Sequence, residues 1–120
     1  MAEPHEILFV LVNVPDRENA ENLAAALVEN RLAACVNMLS PCQSVYRWKG
    51  EVEHAEEIPM FIKTDQTRYQ ALEAFIRANH PYELPEIIAL PLARGLQPYL
   101  DWVEAMCGGK EDSGEDAPCF

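Results

Sequence analysis

The sequence predicts an α+β fold with the element order β-α-β-β-α-β and a short helix after the last strand. Three observations predict it: short apolar runs typical of buried strands, two stretches with helical spacing of apolar residues, and a long extended segment in the middle. A chain of 120 residues forms one domain with a sizeable core and is too short for two. We predict that the domain covers residues 1–107.

The first strand and helix carry the clearest pattern. Ile7 to Val14 is a nearly continuous apolar run, and Asp16 after it is a good N-cap for a helix. The apolar positions of that helix follow the spacing i, i+3, i+4, i+7, i+8, at Ala20, Leu23, Ala24, Leu27 and Val28. The positive charge of Arg31 is expected to interact favourably with the negative, C-terminal end of the helix dipole.

A long β-hairpin is predicted in the middle of the chain. Ala33 to Leu39 is typical of a central or near-central strand, Ser40-Pro41 interrupts it, and Lys49-Gly50 forms the turn. From Leu32 to Trp48 the extended chain would span roughly 55 Å, whereas a domain of this size is about 35 Å across. The hairpin therefore bends back at the proline or projects from the body of the domain.

Two aromatic residues, Tyr46 and Trp48, lie on one face of this hairpin near its tip. They could pack in the core of their own chain. We favour a contact with a second copy of the chain, because a projecting hairpin leaves both rings without a partner surface.

The second half of the domain repeats the pattern. Ile58 to Thr64 predicts a buried strand in which Pro59 marks an edge or a bulge. Thr67 with Gln70 three residues later predicts a capping box for the next helix, which ends before Pro81. The apolar face of this helix is expected at Ala71, Leu72, Phe75, Ile76 and Ala78.

A connector with two prolines, His80 to Glu86, leads to a predicted buried strand at Ile87 to Leu92. Pro98 then starts a short helix, and the acidic segment 108–120 is predicted to be a disordered tail. Right-handed crossovers place both longer helices on one face, which gives a ferredoxin-like βαββαβ sandwich. The strands are apolar on both faces, so self-association would cover the other face of the sheet.

Composition excludes several function classes. The net charge of −11 argues against nucleic acid and anionic membranes as partners. The N-terminus lacks the basic region of a secretory signal, and no apolar run approaches the roughly 20 residues of a membrane span, so we expect a cytoplasmic protein without membrane insertion. None of the four cysteines forms a CxxC pair, and we expect buried or incidental reduced thiols.

No catalytic motif is present in the sequence, which has no Gly-rich phosphate loop, no HExxH and no GxSxG. The loop Asn13 to Asp16 carries an acid where an acyl-phosphate hydrolase of this topology would need an arginine. It also lacks the CxxC of a copper chaperone. We therefore predict that the protein is not an enzyme.

Two polar groups remain as candidate binding residues. Lys63 ends a buried strand, where it could extend its ammonium to water, bind an anion or pair with Glu57. His80, Tyr82 and Glu86 cluster in the connector, where an imidazole with a carboxylate could bind a divalent transition metal. The alternative for His80 is an interaction with the C-terminal end of the preceding helix.

Several segments taken together, in this order and spacing, resemble the CutA divalent-cation tolerance family over about Ile7 to Met106. They are Ala33-Ala34-Cys35-Val36-Asn37, Ser44-x-Tyr46-x-Trp48-x-Gly50, Lys63-Thr64, His80-Pro81-Tyr82-Glu83-x-Pro85-Glu86 and Tyr99-Leu100-x-Trp102.

The resemblance implies a ferredoxin-like protomer in a tight homotrimer whose long hairpins exchange strands, with Tyr46 and Trp48 at the trimer interface. It also implies an intersubunit cleft, a link to tolerance of copper and other divalent metals, and an architecture like that of the nitrogen-regulatory (PII-like) trimeric signalling proteins. The residues that match the family's cleft are Trp48, Glu57, Lys63, Tyr82 and Glu86.

Copper binding is where this chain departs from the family. The copper ligands proposed for a bacterial member of the family are a first-strand cysteine and a histidine pair, and they correspond here to Val12 and to Asn79-His80. His80 is therefore the one candidate metal ligand that remains, and no cofactor is expected to be obligatory. Our first hypothesis is a homotrimer of the divalent metal ion response that binds a divalent cation or a small ligand in this cleft. The alternative is a PII-like small-molecule sensor, or a scaffold for a regulatory or membrane partner, in which metal binding is incidental.

Overall fold

The computed structural model describes residues 6–107, which form one antiparallel sheet with three helices. The elements are β1 (Ile7–Val14), α1 (Arg17–Glu29), β2 (Cys35–Met38), β3 (Cys42–Trp48), β4 (Glu51–Asp65), a 3₁₀ turn (Gln66–Arg68), α2 (Tyr69–Asn79), β5 (Ile87–Pro91) and α3 (Gln97–Met106). This is the ferredoxin-like fold with a long central hairpin and a short C-terminal helix. The predicted tail, residues 108–120, lies outside the described residues.

The strand order is β2-β4-β1-β5, and β3 pairs with the first half of β4. β2 therefore lies at an edge of the described sheet, and its predicted central position is wrong. The residues that lead into β2 are nevertheless buried, at Ala33, Ala34 and Cys35. Ala33 packs with the core under α1, and Ala34 packs with α3, so neighbouring helices bury this segment without a second strand beside it.

The predicted hairpin is confirmed, with Lys49 and Gly50 at its tip. Both residues have positive φ, 51° and 84°, as a tight two-residue turn requires. The fifteen residues of β4 would span about 50 Å when extended, and the longest dimension of the protein is 48 Å. Val45 and Val52, on the hairpin near its tip, are exposed, so the hairpin projects from the body of the domain.

The predicted interruption at Ser40-Pro41 is a one-residue bulge. Met38 pairs with Met60 and Cys42 with Glu57, so three residues on one strand lie opposite two on the other. The Leu39 N–H donates to the Pro59 carbonyl at 2.9 Å. Since the N–H and C=O of a strand residue point to the same side, the missing donor of Pro59 faces this bulge, where no ladder bond is lost.

Both longer helices cover one face of the sheet, as predicted. The core there joins Val10, Val12 and Val14 of β1 to apolar residues of α1, α2 and β4. Asp16 caps α1 by accepting a hydrogen bond from the Asn19 N–H at 2.8 Å. Arg31 lies beyond the end of α1, so its predicted dipole role is wrong, and its guanidinium donates to the Met106 carbonyl at 3.2 Å.

The start of α2 differs from the prediction. Asp65, the last residue of β4, accepts from the Thr67 N–H at 2.7 Å, and a 3₁₀ turn precedes the helix. The predicted capping box of Thr67 and Gln70 is therefore wrong, because the strand itself ends in a side chain that caps the turn. Leu72 and Ile76 are buried, as the apolar spacing predicts.

On the opposite face of the sheet, α3 covers Ile7 at the start of β1, whereas an apolar area formed by β1, β4 and β5 is left uncovered by the described residues. Phe9 and Phe61 contact each other there, with ring centroids 4.7 Å apart. Ile88 and Leu90, which pair with Leu11 and Phe9, are 49% and 60% exposed. The prediction that β5 is buried is therefore wrong for the single chain. We call the surface formed by Phe9, Leu11, Phe61, Ile88 and Leu90 the open face.

Two further findings concern the chemistry of the chain. Cys42 and Cys107 carry free thiols, as expected, whereas Cys35 is disulfide-bonded, so the expectation of a reduced thiol is wrong for that residue. Among the described residues, no helix is both long enough and apolar enough to cross a bilayer.

Candidate ligand-binding cleft

A cleft of about 710 Å³ lies between the projecting hairpin and the connector that follows α2. Its size is in the range of pockets that hold small organic molecules. It is lined by Asn13, Ser44, Val45, Tyr46, Arg47, Trp48, Glu57, Pro81, Tyr82, Glu83, Leu84 and Glu86.

The structure brings four of the five predicted cleft residues together, Trp48, Glu57, Tyr82 and Glu86. The other predicted interface aromatic, Tyr46, lines the same cleft. Lys63 does not line it. The position of the cleft at a boundary between subunits stays a prediction, as does the role of Tyr46 and Trp48 in a trimer.

The register of the hairpin explains how residues of two strands share this cleft. Cys42 pairs with Glu57 and Trp48 with Glu51. Directly paired residues lie on the same face of a sheet, and side chains alternate along each strand. Tyr46 and Trp48 therefore lie on the same face as Glu57, and this face continues into the open face.

The polar centre of the cleft is a hydrogen bond between Tyr82 and Glu57. The Tyr82 hydroxyl donates to Glu57 Oε2 at 2.9 Å, and Glu57 is only 7% exposed. Burial, followed by this hydrogen bond to the carboxylate, raises the pKa of Tyr82 far above its usual value. Tyr82 therefore stays protonated and orients the carboxylate as a hydrogen-bond donor.

A second hydrogen bond holds the far end of the connector. Asn13 Nδ2 donates to Glu86 Oε1 at 3.0 Å and so joins the end of β1 to a residue 73 positions away. The sequence prediction missed Asn13 and Glu83 as cleft residues. Glu83 lies inside the connector motif and could have been included, whereas the place of Asn13 depends on the sheet register.

His80 is buried, and both of its ring nitrogens are engaged. Nε2 lies 2.7 Å from the Asn13 carbonyl oxygen, which can only accept, and Nδ1 accepts from the Tyr82 N–H at 3.1 Å. The ring is thus the Nε2–H tautomer and ties the connector to β1. The tilted ring of Tyr82 packs against it at a centroid distance of 4.8 Å.

This arrangement fits a metal ion poorly. A ligand nitrogen needs a free lone pair, which His80 would gain only by giving up one of these hydrogen bonds. Within residues 6–107, no group of three or more His, Cys, Asp or Glu side chains could hold a metal ion. A metal at His80 stays a prediction, and we derive no step through one.

Lys63 lies on the sheet away from the cleft. Its ammonium donates to Asn37 Oδ1 and lies 3.9 Å from Cys35 Sγ, and burial lowers its pKa. Glu57 is six residues away along β4, or about 20 Å in an extended strand. The suggested pair of Lys63 with Glu57 is therefore wrong, even though both side chains point to the same face.

An exposed cation of the chain itself, Lys49, lies near two residues of the cleft lining, Trp48 and Glu83. The ammonium of Lys49 lies 5.4 Å from the centroid of the Trp48 ring and 3.6 Å from Glu83 Oε1. An indole ring and a carboxylate of the cleft lining thus both lie near one ammonium group.

Comparison with known proteins places this architecture in a family. The family model for the CutA1 divalent ion tolerance protein matches residues 8–106. Protein CutA of Mus musculus is 42% identical over 115 residues, which are 96% of this chain and 65% of the mouse protein. The chain thus spans just under two thirds of the length of this mammalian relative.

The divalent-cation tolerance protein CutA of Thermus thermophilus is similar over nearly its whole length. It is 46% identical over 82% of this chain and 96% of its own. The solved structure of the Thermus thermophilus divalent cation tolerance protein superposes with a TM-score of 0.83 at 45% identity, over 85% of this chain and 99% of that one. A relative from Arabidopsis thaliana, 42% identical over 81% of this chain, is named as chloroplastic. The fold of the chain superposes on that of the Thermus thermophilus protein, and the chain belongs to the CutA1 divalent ion tolerance family.

Proposed function

We propose that the protein is a homotrimer of the divalent metal ion response that binds a small ligand in the cleft between hairpin and connector. The open face carries this proposal, because a neighbouring copy that covers it would also close the cleft at its edge. The family is named for tolerance of divalent ions and not for a reaction, and we assign the chain no catalytic step. We place its action in the cytoplasm, although a chloroplastic relative exists.

Self-association is supported by the chemistry of the open face. Apolar side chains of β1, β4 and β5 form one contiguous surface there, and Ile88 and Leu90 at its edge are about half exposed. Contiguous apolar patches on a folded domain mark sites of protein contact. The number of three subunits comes from the family resemblance. The native mass tests it: we expect about three times the 13.5 kDa of the chain, and a stable 13.5-kDa species at micromolar concentration would contradict the assembly.

A small organic ligand is better supported than copper. The cleft has aromatic walls and one buried carboxylate, Glu57, whereas both ring nitrogens of His80 are engaged in hydrogen bonds. This supports the small-ligand form of the proposal and also the alternative, a PII-like sensor in which metal binding is incidental; in both, we expect no obligatory cofactor. Calorimetric titration with Cu²⁺ tests whether His80 is a copper ligand. Cu²⁺ binding that is abolished by His80→Gln would support a copper site at His80, since an amide can replace the hydrogen bonds of His80 but is a poor copper ligand.

The substitution Trp48→Ala tests the predicted interface role of this residue. We expect it to weaken the trimer by about 2–4 kcal/mol, because truncation of a buried interface aromatic costs this much. Sedimentation velocity over a dilution series would show dissociation at concentrations where the unsubstituted protein stays intact.

Gln43→Ala is the matched control for Trp48→Ala, because Gln43 is exposed on the opposite face of the same strand and does not line the cleft. It should leave the dissociation curve unchanged. Trp48→Ala protein that stays trimeric down to the same dilution as the control would refute the interface role of Trp48.

A further inference from the structure

We propose that the cleft binds an organic cation, a small molecule with an ammonium or guanidinium group. This inference rests on the proposed ligand-binding function and names the chemical class of the ligand. Its basis is the pairing of carboxylates with aromatic rings around one cavity.

The charge of the cleft is negative. Three carboxylates, Glu57, Glu83 and Glu86, line it together with the three rings of Tyr46, Trp48 and Tyr82. Arg47 is the one basic residue in its lining, and strand alternation directs its side chain to the opposite face of β3 from Tyr46 and Trp48. An anionic ligand would therefore meet net repulsion in this cleft.

Glu57 is a buried charge that lacks a counter-charge among the described residues of its own chain. It is 7% exposed, yet its partner in the described structure is the neutral hydroxyl of Tyr82 on Oε2, and no cation of residues 6–107 forms an ion pair with it. Buried carboxylates are ordinarily paired with a cation or bound to a metal. Since Glu57 lines the cleft, a cation in the cleft would supply the missing partner.

Lys49 shows the same recognition within the chain. Its ammonium lies 5.4 Å from the centroid of the Trp48 ring and 3.6 Å from Glu83 Oε1, and both of these residues line the cleft. A cation deeper in the cleft would meet the equivalent combination of the Tyr82 ring and the Glu57 carboxylate. Aromatic faces attract ammonium and guanidinium groups and also pack against their aliphatic stems. A bare divalent ion gains less from such walls, because it needs several oxygen or nitrogen ligands at fixed geometry.

The test uses agmatine, which carries a guanidinium and an ammonium group, and spermidine as probes, with glutarate as the anionic control. Binding is followed by tryptophan fluorescence in a Trp102→Phe background, so that Trp48 is the remaining reporter. We expect both cations to change the Trp48 emission in a saturable way, whereas glutarate does not.

Glu57→Gln should weaken agmatine binding about tenfold or more, because it removes the charge and keeps the shape. Glu56→Gln is the matched control, since Glu56 is the next residue, is exposed and does not line the cleft. It should stay within about twofold of the unsubstituted protein. If Glu57→Gln fails to fold, Glu86→Gln, at an exposed cleft position, replaces it and should also weaken binding.

Three results would overturn the ligand class: no binding of either cation, equal loss in Glu57→Gln and Glu56→Gln, or glutarate binding as tight as agmatine binding. The native mass of the same samples separates this proposal from the assembly. A trimer that ignores both cations refutes the ligand class alone. A monomer that binds agmatine through Glu57 refutes the assembly and leaves the ligand class standing.

Discussion

If the protein forms the proposed trimer, the substitution Leu90→Glu is expected to convert it into folded monomers at micromolar concentration. Leu90 is 60% exposed in the single chain, so a glutamate at this position stays in water and should change the stability of the monomer fold by only about 0.5 kcal/mol. In the assembly the same carboxylate would be buried without a partner. This costs several kcal/mol for each copy, so we expect the assembly to weaken by about 4 kcal/mol or more, roughly a thousandfold.

Val28→Glu is the matched control for Leu90→Glu. Val28 is also apolar and 43% exposed, but it lies on α1, on the other side of the sheet from the open face. Light scattering should give the monomer mass for Leu90→Glu and the full mass for Val28→Glu, with circular dichroism showing that both are folded. A folded Leu90→Glu protein that keeps the full mass would show that the open face is not the contact surface.

The parts of the fold that depend on local patterns could be predicted from the sequence. The apolar run of β1, the spacing along α1, the Asp16 cap and the Lys49-Gly50 turn each depend on residues within a few positions of one another. The hairpin length followed from strand geometry alone. These predictions are confirmed because the tertiary structure agrees with the local preference at each of these positions.

The errors arose where burial or capping came from elsewhere in the chain. The residues before β2 are buried by helices, so their apolar character did not reveal an edge strand. The apolar residues of β5 are exposed in the single chain, which hydrophobic pattern alone cannot distinguish from burial in a core. The cap of the turn before α2 is Asp65, a strand residue, and so the Thr67 motif was misleading.

The candidate site shows the same division. Family resemblance supplied Glu57, Tyr82 and Glu86 for the cleft, and the structure places all three there. Lys63 lies elsewhere. The spacing of six residues along one strand could have shown that Lys63 is too far from Glu57 to pair with it. The contacts of Asn13 with Glu86 and of His80 with Asn13 join residues 73 and 67 positions apart. No local pattern encodes such contacts, since they follow from the sheet register and the path of the connector.

The substitution His80→Ala is expected to lower the free energy of unfolding by about 2–6 kcal/mol. It leaves the Asn13 carbonyl and the Tyr82 N–H without their partners, and each unsatisfied group in a buried position costs about 1–3 kcal/mol. The loss of the ring also removes its contact with Tyr82. The connector, which forms one wall of the cleft, should then be held less firmly against β1. Chemical denaturation at one fixed protein concentration measures the change, because unfolding of an oligomer depends on concentration.

Two variants distinguish this structural role of His80 from a metal ligand. His54→Ala removes an exposed histidine of the hairpin and should change stability by only about 0.5 kcal/mol. His80→Gln keeps a donor and an acceptor on a planar group and should recover part of the stability that His80→Ala loses. If His80→Ala is as stable as His54→Ala but loses Cu²⁺ affinity, then His80 is a metal ligand first, and the two hydrogen bonds of its ring contribute little. Loss of stability without any change in Cu²⁺ affinity would show that the role of His80 is structural. The histidine would then hold the connector against β1 and so shape the cleft that Glu57 lines.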